Sequence, residues 1–209
     1  MQRDLYRHER KKSERAGPAS SNQQSDHYAI TSVNDLDIYH VNLSPETFRF
    51  AEELGRQRIA RAEKKKYKDK WGKPSPISHE IGAVCETALR FVLGEDPFTV
   101  PDLDGGGPDI QPNIQCRGTD HLPAQVWVRP GDDPGLIVIG SRWYRKPRKG
   151  YVVVSVWGWI LAEWVQRSPD FAQANPGDRV PGWPVHWSRL NNLTPIREGH
   201  LQYLKVKDE

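Results

Sequence analysis

The alternation of hydrophobic and polar positions in the first half of the chain predicts two helices. Ser44-Pro45-Glu46 has the pattern of a helix start, with a serine cap, a proline in the first turn and an acid after it. Apolar residues then recur at helical spacing, and the helix is expected to end at Gly72. A second helix is predicted from about Ser78 to Leu93, with Gly94 as its end. Its apolar face contains Ile81, Val84, Cys85, Ala88 and Val92.

The second half of the chain is interrupted by Pro and Gly and reads mainly as short strands. One short strand is predicted at residues 28–43, a loop at 95–109 and a short helix at 158–166. Strand-like runs lie at about 108–118, 124–129, 136–141, 151–157 and 184–188. Two helices followed by a mostly antiparallel sheet indicate an α/β (α+β) fold. We expect a disordered basic arm at 1–27 and a single domain at 28–209, helical over 44–93 and sheet-forming over 97–190.

Composition narrows the class of protein without identifying it. The chain has 209 residues, of which 36% are hydrophobic and 27% charged, so it can bury a substantial core. It contains no apolar run of roughly 18 residues, so we expect no membrane partner. The first residues are polar and basic, unlike a secretory signal, and two cysteines do not make a disulfide framework. We therefore expect a cytoplasmic protein.

The formal net charge of +3 hides two cationic segments. Residues 56–73 carry nine Lys or Arg, and Arg142–Lys149 carries five beside two aromatics. Residues 56–73 could form a cationic wall for nucleic acid, and the alternative is an ordinary solvated helix face. Arg142–Lys149 is predicted to be a cationic hairpin whose aromatic residues could stack on bases, and the alternative is a basic turn with Trp143 packed beneath it. The candidate nucleic-acid-binding residues are Lys64, Lys65, Lys66, Arg142, Trp143, Arg145, Lys146, Arg148 and Lys149.

Glu86 is a candidate functional acid on the second helix. It lies at the margin of the apolar face, beside the small residues Gly82 and Ala83. A buried carboxylate needs a partner, because an unpaired buried charge is very costly. The simplest partner is Arg90, four residues later on the same helix.

A second group of candidates surrounds a tight turn. Asp109 precedes a Gln-Pro-Asn turn, and Gln115 and Arg117 share one face of the strand that follows, so the three side chains are expected to converge. Carboxylate and amide oxygens suit Mg²⁺, and a nearby cation suits phosphate. The alternative is a solvated hairpin face, and Asp102 and Asp104 are rival acids just upstream.

These motifs together resemble the PD-(D/E)XK nuclease superfamily, in particular its phage and prophage members. The resemblance covers about residues 45–195. It rests on Gly82-Ala83-x-x-Glu86, Pro108-Asp109-Ile110, Ile114-Gln115-x-Arg117, the strand that leads into Gly158-Trp159-Ile160, and Trp183–Leu190 before Leu193.

The resemblance implies a restriction-endonuclease-like mixed central sheet flanked by helices, and Mg²⁺-dependent hydrolysis of DNA with Mn²⁺ as a substitute metal. Asp109 would be the central metal ligand, with Gln115, the backbone carbonyl of Cys116 and Glu86 completing the set. Arg117 stands where the family has lysine and would orient water or bind phosphate. It cannot be a general base, because guanidinium does not deprotonate in proteins.

Two departures from the family pattern keep a second class of function open. Glutamine at 115 removes one negative charge from the metal site, and arginine at 117 changes the shape of the cation. The alternative is a weakly active or inactive DNA-binding or inhibitory protein on the same fold. A third hypothesis is a protein-interaction module with a tryptophan-rich face. The sequence does not distinguish an endonuclease from an exonuclease, or a duplex from a single-stranded or RNA substrate. The oligomeric state also stays open, and a dimer is compatible with the sequence.

Overall fold

A computed structural model describes residues 27–33, 36–65, 76–101, 107–110, 112–121, 125–148, 151–173 and 182–198. The predictions that fall outside these ranges include the basic arm apart from His27, the rival acids Asp102 and Asp104, and the candidates Lys66 and Lys149. No helix of the described residues is long and apolar enough to cross a membrane.

The two predicted helices are confirmed. Helix α1 spans Pro45–Lys64, and the Ser44 hydroxyl accepts a hydrogen bond from the Thr47 N–H at 3.1 Å. Its expected end at Gly72 lies outside the described residues. Helix α2 spans Pro76–Leu93 and is followed by Gly94 with φ of 75°, the left-handed conformation of a glycine helix end. The five apolar residues predicted for its buried face are all buried.

The remaining elements form one large sheet and one small one. The elements are β1 His27–Val33, β2 Leu36–Leu43, β3 Ile114–Thr119, β4 Gln125–Val128, β5 Ile137–Arg148, β6 Tyr151–Leu161, α3 Ala162–Arg167, β7 Trp183–His186, a 3₁₀-helix Trp187–Arg189 and α4 Thr194–Arg197. The five-stranded sheet has the order β1-β2-β6-β5-β3, and β4 pairs with β7 in a separate two-stranded sheet.

Two details of the predicted sheet are corrected. The single strand expected at 28–43 is a pair, β1 and β2, in antiparallel register. Strand β6 continues to Leu161, so the helix expected at 158–166 begins only at Ala162. The expectation of a mixed, mostly antiparallel sheet is confirmed, because β3 runs parallel to β5 while the other pairs are antiparallel.

The large sheet is covered on both faces, which places β3 between the helices and the small sheet. Along β5, Ile137 and Ile139 belong to the core shared with α2, whereas Val138 belongs to the core shared with β4 and β7. This alternation follows from the two-residue period of a strand. The architecture is a mixed α/β fold of the α+β type, as the order of elements predicted.

Candidate functional site

Asp109 and Gln115 meet, as the turn between them predicted. Backbone hydrogen bonds of 3.0 and 2.9 Å between Ile110 and Ile114 close the turn. The Asp109 carboxylate accepts a hydrogen bond from the side-chain amide of Gln115, and a second one, at 2.9 Å, from the backbone N–H of Cys116. Its Oδ2 atom is therefore fixed against the start of β3.

Glu86 is buried, with 5% of its surface exposed, but its partner is not the predicted one. Arg58 of α1 donates to both carboxylate oxygens, with Nη1–Oε1 of 2.7 Å and Nη2–Oε2 of 2.5 Å. The expected Glu86–Arg90 pair is wrong, because Arg90 instead bonds Glu95 at 2.7 Å and the backbone oxygen of Asp109 at 2.5 Å. Arg90 thus ties the Asp109 segment to α2.

A glycine allows α2 to approach β3 closely. A Cβ atom on Gly118 would lie 2.7 Å from Sγ and 2.9 Å from Cβ of Cys85, distances that real Cβ atoms do not tolerate. Cys85 directly precedes Glu86, so the helix segment that carries Glu86 packs against the last residues of β3, and Glu86 and Gly118 line the same cleft.

The electrostatics of Asp109 show that the two acids are close enough to interact. Burial and, after it, the charge of Glu86 raise the pKa of Asp109 to about 7, against the lowering effects of the Cys116 N–H, Arg58 and Arg117. Two interacting carboxylates with one near neutrality are typical of functional sites.

Arg117 shares a face of β3 with Gln115, as predicted, and its guanidinium lies within the electrostatic reach of Asp109. Its hydrogen-bond partner is Asp132, at 2.7 Å, on the turn after β4. The buried Nε atom of Arg117 has no acceptor among the residues that the structure describes. Burial lowers the pKa of Arg117, and the positive charge of Arg129 lowers it further.

One open cleft of about 540 Å³, within the usual range for ligand sites, is lined by Glu86, Gln115, Cys116 and Arg117, whereas Asp109 is not among its lining residues. Its walls come from both helices on one side and from β3 and β4 on the other. The lining includes Arg58, His79, Gly82, Glu86, Gln115, Cys116, Arg117, Trp127 and Arg129.

The donor set is chemically suited to a hard divalent cation. Two carboxylates, one amide oxygen and a main-chain carbonyl are oxygen donors of the kind that Mg²⁺ binds. Among the described residues, no group of three or more His, Cys, Asp or Glu side chains could hold a metal ion. A site here would depend on Gln115 as its third side-chain ligand.

The predicted nucleic-acid-binding residues differ in how exposed they are and in which element they occupy. Lys64 and Lys65 are exposed at the end of α1. Arg142 is half-buried, with its guanidinium carbon 4.3 Å from the centre of the Tyr144 ring. Arg145, Lys146 and Arg148 lie on β5, which extends through the segment expected to be a turn.

The expectation that Trp143 stacks on bases is corrected. Only 6% of its surface is exposed, and its ring lies 5.8 Å from that of Phe48 of α1. Because β5 continues through this segment, the alternating pattern of the strand turns Trp143 into the core.

Arg58, Trp127 and Arg129 line the cleft and were not predicted from the sequence as functional residues. The sequence did contain a signal for the last two. Val126 and Val128 are buried, so Trp127 lies on the other face of β4, and Arg129 continues that alternation one residue beyond the end of the strand. Arg58 was one cation among nine in a basic segment, and nothing local paired it with Glu86.

No protein-family model, curated protein or solved structure matches the chain.

Proposed function

We propose that the chain is a Mg²⁺-dependent DNA nuclease with a restriction-endonuclease-like core. One observation carries the proposal. Two acids from separate elements, Glu86 on α2 and Asp109 before β3, interact electrostatically beside a cleft that is lined by arginines. A pair of carboxylates next to cations suits hydrolysis of a phosphodiester, since the acids hold a metal and the cations hold the phosphate.

The ligands would be Glu86, Asp109, the side-chain oxygen of Gln115 and the backbone carbonyl of Cys116. Gln115 now donates its amide to Asp109 and would present its oxygen to a cation after rotation of the amide. When bound, Mg²⁺ would lower the pKa of a water molecule and stabilise negative charge on the phosphate. Metal binding would also keep Asp109 ionised, since a metal competes with the proton.

The two arginines near the acids have different roles in this proposal. Arg58 donates hydrogen bonds to both carboxylate oxygens of Glu86 and so fixes its position in the cleft lining. Arg117 binds the phosphate group, because its buried Nε has no acceptor among the described residues and it lines the cleft. A guanidinium is well shaped for two-point contact with phosphate.

The test is Asp109→Ala, assayed on linear and circular DNA with Mg²⁺ or Mn²⁺. The variant should lose metal-dependent cleavage while it stays folded by circular dichroism. Exposed Asp170, which follows α3 and is not one of the proposed ligands, provides the matched control Asp170→Ala. Full activity in folded Asp109→Ala would remove Asp109 from the mechanism and the proposal with it.

A second candidate is a DNA-binding or inhibitory protein without cleavage. The observation that favours it is the Arg58–Glu86 pair, which already satisfies both oxygens of one proposed ligand. This candidate predicts DNA binding that weakens with salt and needs no divalent cation. It also predicts no products after long incubation with Mg²⁺ or Mn²⁺.

A further inference from the structure

Strand β4 presents an aromatic ring to the cleft. Val126 and Val128 are fully buried beneath the strand, which leaves Gln125 and Trp127 on its other face. Trp127 is partly exposed, lines the cleft and lies opposite Pro184 of β7. A partly exposed ring in a cleft that three arginines also line needs an explanation, because the cores on both faces of the sheet are built without it.

The charges around this ring favour an anionic ligand. Among the described lining residues, three arginines face one acid, Glu86, which Arg58 already neutralises. Arg117 is paired with Asp132, whereas Arg129 lies exposed at the end of β4, two residues beyond Trp127. The charge of Arg129 reaches Arg117, which places two cations on the same side of the cleft.

Trp127 and Arg129 together match the two parts of a nucleotide, because the ring can stack on a base and the guanidinium can hold a phosphate. Aromatic side chains in single-strand binding grooves stack on bases, while basic side chains follow the phosphates. A base inside a duplex has both faces covered by its neighbours, so stacking on a protein ring requires an unpaired base. Inorganic phosphate or a simple anion would make no use of Trp127.

We propose that this cleft binds single-stranded DNA, with one base stacked on the indole of Trp127 and the adjoining phosphate held by Arg129. The inference rests on the proposed function, since it names the form of DNA that reaches Glu86 and Asp109. It moves the DNA-binding surface from the β5–β6 hairpin to the outer face of β4.

The test is fluorescence anisotropy with a labelled oligothymidylate and a duplex of the same length, in EDTA so that no cleavage occurs. Wild type should bind the single strand more tightly than the duplex. Trp127→Ala should lose roughly tenfold in single-strand affinity, and Trp127→Phe should keep most of it. The matched control is Trp164→Ala, because Trp164 is 38% exposed on α3 and does not line the cleft.

Arg129→Gln provides an independent test, since it alters an exposed side chain and leaves the Trp127 ring in place. It should weaken single-strand binding and reduce the slope of log affinity against log salt by about one. Three results would overturn the inference: unchanged binding by folded Trp127→Ala and Arg129→Gln, equal losses in Trp164→Ala and Trp127→Ala, or tighter binding of duplex than of single strand by wild type.

The same proteins, assayed with Mg²⁺, separate this inference from the proposed function. Binding that depends on Trp127 without any cleavage would refute the nuclease and leave the single-strand cleft standing. Cleavage that requires Asp109 but is indifferent to Trp127 and Arg129 would do the reverse.

Discussion

Replacement of Asp109 by Asn should stabilise the protein at neutral pH. The folded protein raises the pKa of Asp109 from 3.8 to about 7, first through burial and then through the charge of Glu86. Between these two values the folded state holds a proton that the unfolded state has released. The stability that neutral Asp109 contributes is therefore fully present below about pH 4 and is lost as the pH rises through about 7.

The size of this effect follows from the shift. One pKa unit corresponds to about 1.36 kcal/mol, so a shift of this size is worth about 4 kcal/mol. That figure is an upper limit, because Asp109 is only partly buried and solvent relieves part of the burial cost. Asn keeps an oxygen that can accept the hydrogen bonds from Gln115 and the Cys116 N–H, and it carries no charge.

The assay is urea unfolding of wild type, Asp109→Asn and the exposed control Asp170→Asn at several values from pH 4 to pH 8. The free energy of unfolding of Asp109→Asn should exceed that of wild type by a few kcal/mol at pH 8. The difference should shrink steadily towards pH 4, and Asp170→Asn should follow wild type throughout. A difference that does not vary with pH, or a less stable Asn variant at pH 8, would refute the electrostatic account of this site.

Three further predictions concern the neighbours of this acid. Arg58→Met leaves Glu86 buried without its partner and should cost about 3–5 kcal/mol in the free energy of unfolding, and Mg²⁺ should restore part of that loss if Glu86 is a ligand. Gln115→Glu adds a like charge beside Asp109, so it should lower stability without metal and tighten Mg²⁺ binding by calorimetry; an unchanged affinity would argue against Gln115 as a ligand. Gly118→Ala should cost about 1–3 kcal/mol in thermal or urea unfolding, because its methyl group would collide with α2, and a neutral result would show that the helix can retreat.

The parts of the site that the sequence predicted depend on local geometry. The turn after Asp109 is short enough to bring it against Gln115, and the strand period sets Arg117 on the same face. The apolar spacing of α2 and the glycine at 94 define that helix in the same way, since each signal lies within a few residues.

The parts that the sequence did not predict depend on contacts between distant segments. Arg58 meets Glu86 across two packed helices, and no local pattern singles it out from the cations around it. Trp143 is buried because β5 extends farther than its apolar run, so side-chain alternation continues through a cationic segment. The parallel pairing of β3 with β5 also joins strands that are not consecutive in the chain.

The most direct test of the nuclease proposal is a cleavage assay on end-labelled single-stranded DNA. Wild type, Asp109→Asn and Asp170→Asn are each incubated with Mg²⁺, with Mn²⁺ and with EDTA. The account predicts products from wild type and Asp170→Asn with either metal, and none in EDTA or from Asp109→Asn. Folded wild type that binds the DNA and yields no products with either metal, or Asp109→Asn that cleaves as fast as wild type, would contradict it.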